Sequence, residues 1–231
     1  MKVLGKPKAI IIYGPPGAGK GTQADLLANH FGFVHFDTGK YLESLIYNPV
    51  YKKDKIIQRE RNFFESGKLM TSSWVLDMVV KRAKEIAKAD LGIIFSGSPR
   101  TVSEAKGMIP ILERLYGRKN IMFFVLKVTP ATSLKRNSRR LVCSICEAPV
   151  LFLKETSKFT VKSRCPFCGG KLFRRTLDKP VIIKKRLIEY GLRTKPVFSE
   201  IKRQGYKVFE VTGKALPFQV FQKIKSHIRI S

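Results

Sequence analysis

The stretch that most constrains this chain is "GPPGAGKGTQ", residues 14–23, which follows the apolar run "AIIIY" (9–13) and opens the amphipathic pattern "GKGTQADLLANHFG" (19–32). A glycine-rich turn held between a buried strand and a helix has few shapes open to it. Glycines at 14, 17, 19 and 21 let the backbone N–H groups turn inward. The first turn of the following helix adds the positive end of its dipole. Such a nest holds an anion. The spacing Gly14-x4-Gly19-Lys20 is that of the phosphate-binding P-loop, in the strand–turn–helix context the motif requires, and Lys20 is placed to reach β- and γ-phosphates. One position departs from the general pattern: Gly21 stands where Ser or Thr usually follows the lysine, and Thr22 comes next.

Beyond the loop the chain alternates. "FVHF" (33–36), "GIIFS" (92–96), "IMFFVLKV" (121–128) and "YKVFEV" (206–211) read as further strands. Between them lie helical patterns at 72–89, 101–117 and 130–141, and the first helix places Ala24, Leu27, Ala28 and Phe31 on one face and stops at Gly32. Strands alternating with helices predict a parallel sheet covered on both faces. With 231 residues, 44% of them hydrophobic, the chain can bury one sizeable core and carry a small insertion. No run approaches the roughly 18 apolar residues of a membrane helix, and "AIIIY" is too short for a secretory leader, so an intracellular protein is expected. Forty-five Lys and Arg against 17 acids leave +28, a field that attracts polyanions. The basic residues are spread along the chain and not gathered into one tract, so nucleotide phosphate is favoured over nucleic acid as the partner.

All four cysteines fall in Cys143-x2-Cys146-x18-Cys165-x2-Cys168, within a Gly- and Lys/Arg-rich segment (about 143–178) that interrupts the alternation. In an intracellular chain this spacing predicts one tetrahedral Zn2+ site with a thiolate pair from each knuckle, although spacing alone leaves iron open. Four protein sulfurs leave no coordination position for substrate, so the metal is expected to be structural. Phe167, inside the second knuckle, is expected to pack, and the other aromatics of the insertion are Phe152, Phe159 and Phe173.

"GPPGAGKGTQ" resembles the P-loop of adenylate kinase and its nucleoside monophosphate kinase relatives, and the resemblance extends over nearly the whole chain. "HFDTGKYL" (35–42) is similar to the segment that opens the family's monophosphate-binding helices, "SGKLMT" (66–71) to the loop that touches the acceptor base, and "SGSPRT" (96–101) to the family's Asp-Gly-Phe-Pro-Arg-Thr signature. "KRNSRR" and "RRTLDKPVIIKKRLIEY" resemble the lid-side and hinge arginine segments. The resemblance implies a three-layer α/β, P-loop NTPase-like fold with a five-stranded parallel sheet. Its core would be residues 1–36, 72–140 and 179–231, with a helical acceptor-binding insert at 37–71 and a zinc lid at 141–178. It implies a phosphotransferase that moves the γ-phosphoryl of Mg2+-bound ATP to a nucleoside monophosphate, AMP first among them, in a cytoplasmic monomer. ATP would be held by Gly14, Pro15, Pro16, Gly17, Ala18, Gly19, Lys20, Gly21 and Thr22, with Arg136 and Arg140. The acceptor would be held by Thr38, Gly39, Lys68, Met70, Gly97, Arg100, Glu104, Arg175 and Arg186. Lys20 and the arginines at 100, 136, 140, 175 and 186 would converge on the phosphates. Guanidinium forks suit phosphate oxygens, and phosphoryl transfer is catalysed mostly by positioning and charge.

Four positions depart from the family's pattern. Ser96 replaces the aspartate that helps hold water around Mg2+, and Asp37 is a candidate to stand in for it. Glu43 replaces an arginine that clamps the acceptor phosphate, with Lys40, Arg59 or Arg61 as candidate substitutes. Glu104 replaces a glutamine that reads the base, and Leu177 replaces the first of two lid aspartates, leaving Asp178. The departures keep two further readings open: a kinase for CMP, UMP or GMP, and a P-loop nucleotide-binding protein whose zinc ribbon grips nucleic acid. His35 is expected to be a satisfied strand histidine and Trp74 a core residue.

Overall fold

The computed structural model describes residues 8–150 and 158–228. Strand β1 (Ala9–Tyr13) has an apolar or aromatic residue at every position, and all five are buried, as in a strand covered on both faces. It lies at the centre of a five-stranded sheet. β3 (Ile93–Phe95) and then β2 (Val34–Phe36) lie on one side, and β4 (Ile121–Lys127) and then β8 (Val208–Thr212) on the other. Every pairing is parallel, with Ile10 opposite both Ile94 and Met122.

Helix α1 (Lys20–Phe31) stops where Gly32 takes φ 70° and its N–H bonds the Ala28 carbonyl, a left-handed C-cap. Leu27 of α1 packs with Val220 and Ile224 of α9 (Pro217–Lys225) on one face of the sheet. The other face is covered by α4 (Ser72–Lys88), α5 (Val102–Tyr116) and α8 (Lys195–Arg203), through Val79, Ala83, Leu112, Val197 and Ile201. Trp74 is partly buried against this cluster. No helix among the described residues is long and apolar enough to cross a membrane.

Two excursions leave the sheet. After β2 come α2 (Thr38–Ile46) and α3 (Lys55–Ser66). Between α6 (Pro130–Arg139) and α7 (Pro180–Glu189) lies a small antiparallel sheet in the order β6 (Pro149–Val150), β5 (Leu141–Cys143), β7 (Leu172–Phe173). It has a core of its own, made by Leu141, Cys143, Val150, Cys165 and Leu172, with Phe159 against it. Phe152 lies outside the described residues. α7 continues through a π-helical turn, Tyr190–Thr194, into α8.

Two expectations need correction. The last strand begins at Val208, not at Tyr206. Gly205 (φ 81°) ends the preceding helix, the Tyr206 N–H bonds the Ile201 carbonyl, and the Tyr206 ring packs edge-on against Phe123. Phe167 does not pack: it is 75% exposed, because the knuckle commits its N–H to the Cys165 sulfur and turns the ring outward.

Candidate active site

The carboxyl ends of β1, β2, β3 and β8 face one cleft of about 1360 Å3, where parallel sheets of this kind bind ligands. A single-ligand pocket is roughly 300–1,000 Å3, so there is room for two nucleotides. The loop after β1 has no space for side chains at two glycines. A Cβ at Gly14 (φ 152°) would come within 2.8 Å of the Leu126 carbonyl, and one at Gly17 (φ 73°) within 2.5 Å of the Asn137 amide nitrogen. Helix α6 fastens the loop from outside, with Ser133 Oγ donating to the Pro16 carbonyl and Asn137 Nδ2 to the Ser133 carbonyl. Gly21, by contrast, faces open space.

All of Gly14, Pro16, Gly17, Ala18, Gly19, Lys20, Gly21 and Thr22 line the cleft. Pro15 does not, but its carbonyl accepts from the Ala18 N–H and from Lys20 Nζ (3.0 Å), and Gly14 offers Nζ a second carbonyl at 2.9 Å. Burial pushes the Lys20 pKa down to about 7, with repulsion from Arg100 and Arg186 added and Asp37 opposing.

Opposite the loop, Asp37 caps α2 by accepting from the Lys40 N–H, and Thr38 and Gly39 begin the helix. The Thr38 hydroxyl is buried without a partner among the described residues, an arrangement that a polar ligand relieves. Arg100 is fixed by donating Nε to the Gly97 carbonyl at 2.6 Å, and Gly97 and Gly39 leave its Nη2 room to lie between them. Burial lowers the Arg100 pKa, with Glu104 and Asp37 opposing. Arg186 is pushed down by burial and then by Arg100, Arg140 and Arg175. These arginines therefore crowd one another in one part of the cleft, whose lining also includes Asp37, Glu43 and Glu104.

Arg136, Arg140, Arg175 and Arg186 all line the cleft, as do Lys68, Met70, Gly97 and Glu104. Two of the arginines are held by carboxylates. Arg140 makes a two-pronged pair with buried Asp178, at 2.6 and 2.9 Å, and Arg175 pairs with Glu43 at 2.6 Å. Among the described residues Arg136 makes long contacts, to the Gly17 and Lys214 carbonyls. Buried Glu104 accepts from the Arg100 N–H at 2.7 Å and from the Thr101 hydroxyl, while burial raises its pKa.

The substitutes considered for the arginine missing at position 43 fare unequally. Lys40 lines the cleft but pairs with Glu147 of the small sheet at 2.9 Å. Arg59 and Arg61 do not line it. Their phase on α3 gives Arg59 to Glu60 and sets Arg61 against Glu65 and over the Tyr47 ring.

Among the lining groups that sequence patterns do not mark as site residues are Tyr13, Asp25 and His35. Tyr13 ends β1 with its hydroxyl buried and unpartnered among the described residues; its place at the carboxyl end of a central strand is the signal that marks it. Asp25 and His35 enter together. His35 is satisfied as expected, with Nδ1 2.6 Å from Asp25 Oδ1 and Nε2 2.7 Å from Ser96 Oγ.

The four cysteine sulfurs lie within 4.8 Å of one another, with Cys143 to Cys168 at 3.4 Å and Cys146 to Cys165 at 3.7 Å. Zinc–sulfur bonds of about 2.3 Å in a tetrahedron place sulfurs about 3.8 Å apart, so the cluster fits the metal. The Ile145 and Phe167 N–H groups donate to Cys143 and Cys165, and a Cβ at Gly170 would come within 2.7 Å of the Cys143 sulfur. The backbone thus supports the thiolates and leaves them space.

Residues 12–206 match the family model described as adenylate kinase. The chain is 31% identical over 202 residues to a protein named adenylate kinase from Caldicellulosiruptor saccharolyticus, covering 87% of this chain and 90% of that one. It is 32% identical over 201 residues to the adenylate kinase of Caldicellulosiruptor bescii, covering 86% and 89%. Against that of Methanocella arvoryzae it is 29% identical over 219 residues, covering 95% and 97%.

Proposed function

The chain belongs to the adenylate kinase family, and from that premise we propose that it transfers the γ-phosphoryl group of Mg2+-bound ATP to AMP, yielding two ADP. It is a phosphotransferase and a nucleoside monophosphate kinase; the choice of AMP, and the roles of single residues, are the proposal. The observation that supports it best is the gathering of Lys20, Arg100, Arg136, Arg140, Arg175 and Arg186 around one two-nucleotide cleft. Moving a phosphoryl group between nucleotides brings two polyanions together and spreads charge over the oxygens in flight, so fixed cations that need no rearrangement lower the barrier. In this reading the P-loop and Lys20 hold the β- and γ-phosphates, with Arg136 and Arg140 on the same side. Arg100, Arg175 and Arg186 draw in the acceptor phosphate. Thr38, Gly39, Lys68, Met70, Gly97 and Glu104 seat the rest of the acceptor, whose polar groups would relieve the Thr38 hydroxyl. No covalent enzyme intermediate is required.

Thr22, Asp37 and Ser96 offer hard oxygens at the cleft, which suit Mg2+. These oxygens would hold Mg2+ directly or through its water, and the ion when bound would supply charge neutralisation for the phosphates. Cys143, Cys146, Cys165 and Cys168 hold a structural Zn2+ in a lid (141–178) whose closure excludes water as a competing acceptor. Residues 37–71 form the acceptor insert and 1–36, 72–140 and 179–231 the core of a cytoplasmic monomer.

The test is an ADP-formation assay with Mg2+, ATP and each of AMP, CMP, UMP and GMP. Turnover with AMP at the highest kcat/KM is expected; preference for another monophosphate reassigns the acceptor. No ADP with any of them, combined with salt-sensitive retention on oligonucleotides, would favour the zinc-ribbon reading, for which the exposed Phe167 and Ile145 speak.

A further inference from the structure

Asp25, His35 and Ser96 come from three elements, α1, β2 and the turn after β3, and form a continuous hydrogen-bonded line along the wall of the cleft, which all three line. Asp25, at the outer end, is 62% exposed at its side chain, while that of His35 is 13% exposed. Ser96, at the inner end, is 6% exposed. We propose that this line is a positioning device. The Asp25 carboxylate sets the tautomer of His35, and His35 orients the Ser96 hydroxyl so that its oxygen faces the phosphate cleft as an acceptor. This rests on the kinase reading only for what the oxygen meets there, the water shell of the Mg2+ that accompanies ATP.

The direction of the hydrogens follows from the partners. A carboxylate oxygen accepts, so the Nδ1 at 2.6 Å from Asp25 carries the hydrogen. In the neutral ring Nε2 is then the acceptor. Ser96 Oγ, 2.7 Å from Nε2, must donate its one hydrogen to the ring. With that hydrogen committed, only lone pairs of Ser96 remain to point into the cleft, and they attract the hydrogens of metal-bound water. Without Asp25 the ring is free to carry its hydrogen on Nε2 and donate to Ser96. The hydroxyl hydrogen would then turn toward the cleft, where it repels the same water. A neutral serine thus acquires a fixed acceptor polarity from a carboxylate two hydrogen bonds away, on the opposite side of the imidazole. No proton leaves its atom, and Asp25 and His35 act through the Ser96 hydroxyl, so both are positioning residues. Asp37, which also lines the cleft, spends one carboxylate oxygen on the Lys40 N–H, so it shares the task without replacing Ser96.

Two measurements test this. The first is the 15N spectrum of His35 in the ligand-free protein, which is independent of any phosphoryl transfer. The neutral ring with hydrogen on Nδ1 is expected, and Asp25→Ala should move it to the Nε2 form. An Nε2-protonated ring or an imidazolium in the unaltered protein overturns the proposal, as does a spectrum unchanged by Asp25→Ala. The second is the free Mg2+ that half-saturates the ATP complex without acceptor, followed calorimetrically. Asp25→Ala and Ser96→Ala should each raise it on the order of tenfold, the scale of second-layer effects on metal sites. The double variant should be no worse than either, and Ser96→Asp should restore it in the Asp25→Ala background. Additive losses, or no rescue, overturn the device while leaving the kinase reading intact; absent ADP formation overturns that reading while leaving the tautomer result intact.

Discussion

Lys20 is a buried cation whose hydrogen-bond partners among the described residues are neutral, and nucleotide affinity should therefore fall as pH rises, where a surface lysine, which stays charged, would leave it flat. In the free protein Nζ is held by two neutral carbonyls, those of Gly14 and Pro15. Burial, with Arg100 and Arg186 beside it and Asp37 opposing, lowers its pKa to about 7. Bound polyphosphate supplies anionic oxygens that favour the ammonium and bring the pKa back toward its ordinary value of about 10.5. The complex then keeps a proton that the free protein gives up as pH rises, so binding takes up a proton and weakens with rising pH. The association constant falls by the factor 1 + 10^(pH − pKa), roughly 2 at pH 7 and roughly 100 at pH 9, so about fiftyfold, or about 2.3 kcal/mol, is lost over that interval. Burial and neighbouring arginines lower the Arg186 pKa as well, but its delocalised guanidinium starts far above the lysine range and stays charged over most of the interval. Calorimetry of ATP and Mg2+, without acceptor, in two buffers of different ionisation enthalpy reads both quantities. Uptake of about half a proton at pH 7 and nearly one at pH 9 is expected, and Lys20→Met should bind weakly with neither effect. Affinity that is flat over this range, or binding heats equal in the two buffers, refutes the reasoning.

The ion pair between Glu43 and Arg175, at 2.6 Å, occupies a guanidinium that the acceptor phosphate would claim. Its carboxylate and guanidinium are partly exposed, so breaking it costs about 1 kcal/mol or less. Glu43→Gln should accordingly lower the acceptor KM by up to about fivefold with kcat little changed, and a raised KM in steady-state kinetics would show that Arg175 needs its partner to be placed. Removal of metal with a strong chelator should melt the small sheet of β5, β6 and β7 before the main one, since among the described residues its buried core is five side chains and two of these are the proposed ligands Cys143 and Cys165. Differential scanning calorimetry with and without chelator would show an added transition at lower temperature and turnover would drop; an unchanged thermogram and rate would remove the metal from the account.

Much of the fold was legible because its signals act over short range. The all-apolar β1, the glycines at 14 and 17 that tolerate no Cβ, the stop at Gly32 and the paired Cys-x2-Cys knuckles each depend on a few neighbouring residues. The pattern misled where backbone hydrogen bonds, which periodicity does not register, overrode it. Tyr206 continues an apolar alternation in the sequence, yet the helix end at Gly205 and the Phe123 ring claim it first. Phe167 is aromatic in a small-residue knuckle, but the sulfur-bonding backbone leaves its ring no interior to enter.

In the candidate site, residue types were legible and their engagements were not. The sequence by itself determined a phosphate nest on a parallel sheet, a supply of cations in order along the chain and a four-sulfur metal cage, because glycine freedom, strand and helix periods and ligand spacing are properties of consecutive residues. Only the tertiary structure decided that Arg175 is tied to Glu43 from 132 residues away, that Lys40 is tied to Glu147 from 107 residues away, that Arg59 and Arg61 turn from the cleft, and that Asp25 reaches Ser96 through His35. Coulomb forces and hydrogen bonds depend on distance in space, and that distance exists only once the sheet has brought its loops to one edge.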